Sequence, residues 1–166
     1  MRLYFAIIAA ALASCAPVPA HEAASTHAHD PAAMHMHDPA APASDARELV
    51  NFPAPMREHT LANMRDHLQT LQEINAALSR NEFEKASALA EQRLGMTSLE
   101  LHGAAHLAAF MPKPMQEMGT GMHRAASRFA IAAQDASVSH DLRPALAALS
   151  DVMRQCAACH AAYRLH

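Results

Sequence analysis

Near the end of the chain stand Cys156-Ala157-Ala158-Cys159-His160. On a helix, positions i, i+3 and i+4 share one face, so both thiols and the imidazole point at the same flat ligand. C-x-x-C-H is the attachment signature of haem c: two thiolates add across the vinyl groups, and the adjacent imidazole becomes an axial ligand of the iron. Three other readings compete. A redox pair of thioredoxin type follows a strand in a βαβ unit, and no strand pattern precedes Cys156. A structural zinc site needs four ligands, whereas the two cysteines and His160 supply three and leave a distant histidine to complete it. A plain structural disulfide fits poorly in an exported chain, where paired thiols normally have a job. The expectation is one covalent haem c.

Other ligand-type residues crowd two stretches. Residues 16–55 hold His21, His27, His29, His35 and His37, with Met34 and Met36 between two of them. That density of soft and borderline ligands suits copper, zinc or nickel, with the loose, pH-dependent affinity of a chain lacking fixed geometry. A soluble spacer that drifted toward histidine is the plainer reading. The middle of the chain gathers Met96, His102, His106, Met111, Met115, Met118, Met122 and His123. His102 and His106 have the i, i+4 spacing that clamps one metal on a helix face. Against this, methionines also fill an aromatic-poor core, and no nearby Cys or carboxylate trio completes a ligand set.

The elements that must position these groups are helical. Among 166 residues, 51% are hydrophobic and only 4 are Gly, against 11 Met and 13 His. So few glycines argue against turn-rich sheets, and neither GxGxxG nor GxxxxGK[ST] occurs. Leu61, Met64, Leu68, Leu71, Ile74 and Leu78 recur at steps of three and four, which predicts an amphipathic helix over 56–78, roughly 35 Å long at 1.5 Å per residue. Phe83, Ala86, Leu89, Ala90 and Leu94 continue the period and end at Gly95, a candidate C-cap. A helical stretch over 99–110 comes next, then a break at Met111-Pro112-Lys113-Pro114. A third helix spans about 115–135, and a fourth starts near Pro144 and carries Leu146, Leu149, Val152 and Met153. With short connections and no strand signal, the expected fold is all-α, an antiparallel four-helix bundle.

The beginning of the chain reads as an address. Arg2 precedes an apolar run over 3–12 that is too short to span a bilayer. Leu12-Ala13-Ser14-Cys15 resembles a bacterial lipobox, making 1–14 a lipoprotein-type signal peptide and Cys15 the lipidated residue. Val18-Pro19-Ala20 offers an alternative cleavage after 20 that discards Cys15. Either places the mature protein in the periplasm, and the first tethers it to a membrane. Residues 15–55, rich in Ala and Pro without apolar periodicity, read as a flexible tether, and 56–166 as the haem domain. With a formal net charge of −3 and no Trp, the chain has no basic stripe or stacking platform for nucleic acid.

Cys156 to Arg164, together with Met56-Arg57-Glu58-His59-Thr60-Leu61 and Met64, resemble the cytochrome c′ family, the class II c-type cytochromes. The resemblance covers about 56–166 as topology, and its specific matches sit in the first and last predicted helices. It implies a four-helix bundle, often homodimeric, with haem c bonded near the C-terminus. By position it makes Arg57 the partner of a haem propionate, Leu61 the residue packed over the distal face, and Arg164 the arginine beside the proximal His160. Met64, one turn beyond Leu61, matches the methionine that binds iron in low-spin members. Each also has a plainer role, as a first-turn solvent residue, core side chains and a charge complementing the helix dipole.

Two functions follow. With Met64 as sixth ligand, the protein carries single electrons to a redox partner protein. With Leu61 over an open iron, it binds small diatomic gases such as NO or CO. No nucleophile and base pair, paired carboxylate motif or HExxH marks an enzyme. The rival from a different class is a periplasmic metal-handling lipoprotein using the His/Met-rich tether.

Overall fold

The computed structural model describes residues 45–165. The export segment, Cys15 and the tether histidines His21, His27, His29, His35 and His37 lie outside the described residues. The described chain is mostly helical and belongs to the all-α class. In order it forms β1 (Glu48–Val50), α1 (Ala54–Ser79), α2 (Phe83–Arg93), a 3-10 turn (Met96–Ser98), α3 (Ala104–Ala108), α4 (Lys113–Ser139), α5 (Arg143–Ala162) and β2 (Tyr163–Leu165). The three long helices each carry a proline at their second position, Pro55, Pro114 and Pro144. There a missing N–H costs no intrahelical bond.

Packing runs α1 on α2, α2 on α4 and α4 on α5, while α1 approaches α4 and α5 much less closely. Ile74, Ala86, Leu94, Phe129, Ala133, Leu149 and Val152 fill the main core. A cross-helix clamp holds α2 to α1: Arg93 donates to Asp66 and, at 2.6 Å, to Glu73 Oε2. A second, smaller core of Val50, Phe52, Leu107 and Met115 lies at the other end of the fold.

Several expectations change here. The 99–110 stretch is not one helix: Gly103, at φ 64°, turns the chain left-handed just before the five residues of α3. A side chain there would be strained, and its Cβ would meet His59 Nε2 at 3.2 Å. Two strands exist where no strand signal was read, because three residues are too few to show a two-residue period. β1 pairs in parallel with β2, Glu48 opposite Tyr163, Leu49 opposite Arg164 and Val50 opposite Leu165. The expected tether to residue 55 therefore ends earlier, since Val50 and Phe52 are buried. In the first half of α1 the buried face is turned from the predicted stripe, with Thr60, His67 and Thr70 inward and Leu68 71% exposed, whereas Ile74 and Leu78 of that stripe are buried in the second half.

Candidate functional site

Between α1, α4 and α5, in the gap their packing leaves, lies a cavity of about 210 Å³. A single water occupies about 30 Å³ of liquid, so the space is made for something larger. Cys156, Cys159 and His160 all lie on its wall. Their helix presents them as the sequence expects: Cys156 packs against the main core and Cys159 against the small one, so the motif straddles the two. Both thiols are free, and burial pushes each above its ordinary value. His160 sits at the exposed edge, and its backbone carbonyl accepts a hydrogen bond from Arg47 Nη1 at 3.4 Å.

The opposite wall comes from α1. Thr60, Asn63, Met64 and His67 line it. Met64 is on this wall although it is 37% exposed. Leu61 is 40% exposed and absent from the wall, because α1 buries its Thr60–His67–Thr70 face instead. Arg57, half-buried in the first turn of α1, and Arg164, in β2, also lie off the wall. Arg164 Nε is 3.6 Å from Asp45 Oδ2, so it serves the junction between β2 and the segment before β1.

The pairing of His102 with His106 is not formed. His102 lies in the turn ahead of α3, 5% exposed, and His106 is exposed on the helix, so no helix face carries both. Among the described residues, no group of three His, Cys, Asp or Glu is arranged to hold a metal ion. Instead His102 meets His67 and His123, two histidines to which the sequence reading gave no role at the haem site. Ring centroids are 4.7 Å apart for His67 and His102, 5.4 Å for His102 and His123 and 6.2 Å for His67 and His123. All three line the cavity.

Backbone contacts fix this cluster. His59 Nε2 and Asn63 Nδ2 each reach the His102 carbonyl at 3.0 Å, tying the turn to α1. His123 Nδ1 donates to the Leu94 carbonyl at 2.8 Å, and the Ser98 hydroxyl donates to Gly95 O at 2.7 Å. Burial, followed by repulsion from His102, His123 and, further down, His160, lowers His67 to about 4. Burial likewise lowers His102 and His123. At neutral pH the three are uncharged imidazoles, each with one N–H and one lone pair. The available signal was the i, i+7 spacing of Thr60, His67 and Ile74, hidden because leucines at neighbouring positions give a stronger apolar stripe.

Among the described residues no helix is long and apolar enough to cross a membrane. No family model, curated protein or solved structure matches this chain.

Proposed function

We propose that this protein is an exported c-type cytochrome of the cytochrome c′ kind, holding one covalent haem c in the cavity between α1, α4 and α5. The observation that carries the reading is the convergence of Cys156, Cys159 and His160 on one cavity wall, with free thiols. The donor set fits the group: two sulfurs for thioether bonds, one imidazole for the iron, and apolar neighbours such as Leu107, Met115 and Met122 for the ring. The packing of α1 on α2, α2 on α4 and α4 on α5 supports an antiparallel four-helix bundle whose short α3 segment lies outside it. When bound, haem supplies a one-electron redox change and an iron able to take a small ligand.

Reversible binding of a small ligand is the function favoured here, since a polar imidazole cluster lines the same cavity. Electron transfer is the second reading, and Met64 on the wall is the observation that favours it. In either case the residues before 45 carry the export signal, with Cys15 as the lipid anchor to the membrane and the periplasm as the destination. The metal-handling reading ranks behind, because its central pair, His102 and His106, is separated. A homodimer remains part of the cytochrome c′ resemblance.

The test is the visible spectrum of protein exported alongside a haem-attachment system, recorded oxidised, reduced, and reduced with CO. A Soret band that CO shifts supports an open iron. Sharp reduced bands that CO leaves unchanged support Met64 ligation and electron transfer. A well-expressed protein without a Soret band overturns the cytochrome.

A further inference from the structure

The cavity wall holds polar groups, but most have already spent their donors. Asn63 Nδ2 has one of its two N–H groups on the His102 carbonyl, Gln116 Nε2 has both on the carbonyls of Ala108 and Met111, and the Thr60 hydroxyl is on the Met56 carbonyl. The His67–His102 pair is different. His67 Nε2 lies 3.5 Å from His102 Nδ1, a contact across which at most one proton is shared. Two neutral rings carry two N–H groups between them. If His67 donates, the remaining N–H is on His102 Nε2, and that atom is buried without a partner. The Ser98 hydroxyl, 3.4 Å from the same His102 Nδ1, donates to Gly95 O and leaves that nitrogen to accept from His67. In that arrangement His102 Nε2–H is the one donor of the pair that is buried without a partner.

A buried polar group without a partner is costly, and such groups are normally satisfied by water or ligand. His123 does not compete for the role, since its Nδ1–H is committed to Leu94. The rings stay neutral at physiological pH, so they offer a donor without repelling a cationic iron by a full charge.

We propose that His102 Nε2–H, its tautomer set by His67 Nε2 donating to His102 Nδ1, is the hydrogen-bond donor for a small anion of the nitrite class held in the cavity at the haem iron. This rests on the haem reading above and names the ligand class of that site: small anions gain a charge-assisted hydrogen bond that carbon monoxide does not. Gln155, on the same wall beside Cys156, is a further amide lining the space and provides the control.

The experiment uses the full-length holoprotein with azide as the ferric probe and CO as the ferrous probe, both followed optically. Native protein, His67→Leu, His102→Leu, the double variant, His102→Gln and Gln155→Leu are compared, with helical circular dichroism as the check on folding. The double variant is expected to lose azide affinity at least about ten-fold, the range for one hydrogen bond to a charged partner. Its CO affinity stays within about three-fold, and His102→Gln, which restores an amide donor, holds azide within about three-fold of native. If the double variant does not fold, the two single leucine variants and His102→Gln decide by the same azide-to-CO comparison. The proposal is overturned by native protein that takes up no azide, by azide and CO falling together, by unchanged azide affinity in the leucine variants, or by a loss confined to Gln155→Leu. Covalent haem, read from the pyridine haemochrome of the same samples, separates failure of the haem reading from failure of the donor.

Discussion

His67 Nε2, midway along α1, lies 3.5 Å from His102 Nδ1 in the turn ahead of α3. The contact joins two segments that the apolar pattern gives no reason to connect, and it brings imidazoles to the same cavity as Cys156 and Cys159.

Stability should fall in mild acid because of this cluster. The unfolded His67 takes up a proton near its ordinary 6.5, while the folded one does so only near 4, so the unfolded state binds more protons in between. The contribution is fully present above about pH 6.5, is lost as pH falls toward 4, and levels off below. For His67 it is on the order of 3 kcal/mol, and His102 and His123 shift in the same direction. Urea midpoints measured from pH 7.5 to 4 are expected to drop, and His67→Gln to flatten the profile. A midpoint constant over that range would contradict the burial of neutral imidazoles.

Leu61 and Met64 should respond differently to truncation. Leu61 is 40% exposed and off the cavity wall, so Leu61→Ala is expected to cost under about 1 kcal/mol and leave the haem spectrum unchanged. Met64→Ala enlarges the cavity itself and is expected to alter the ligand-binding spectra. Paired optical titrations with CO would check this, and a strong effect from Leu61→Ala alone would return Leu61 to the position that the family resemblance gives it.

The strand pair should matter to the end of α5 that carries Cys156 and Cys159. Val50 is 3% exposed and packs with Phe52, Leu107 and Met115, while β1 pairs with the strand that directly follows Ala162. Val50→Ala removes buried methyl groups and is expected to cost about 2 kcal/mol in urea unfolding. Amide exchange at Tyr163 and Leu165 should quicken in the same variant. Unchanged exchange there would mean that β2 holds its place without β1.

The long helices could be read from the chain because their apolar residues recur over many turns: the 56–78 prediction falls within Ala54–Ser79, and the break at Met111–Pro114 overlaps the start of α4, whose first two residues are Lys113 and Pro114. That Cys156, Cys159 and His160 share one wall was equally legible, since it follows from their spacing on one helix. What escaped is set by tertiary contact. The first half of α1 turns Thr60 and His67 inward because the cavity, rather than a packed core, lies opposite, and a hydrophobic stripe does not report the imidazoles that meet there. The short strands and the turn at Gly103 depend on partners distant in sequence, Leu165 for Val50 and His59 for the turn. The buried histidine trio could not be foreseen by spacing, as its members come from α1, a turn and α4.

The most direct measurement is the intact mass of the denatured, exported protein together with alkylation of its thiols. The expected result is a chain heavier by the mass of one haem, with Cys156 and Cys159 both closed to alkylation and the Cys156→Ala/Cys159→Ala variant lacking the added mass. A chain of unmodified mass in which both cysteines alkylate freely, from cells that mature other c-type cytochromes, would contradict the account.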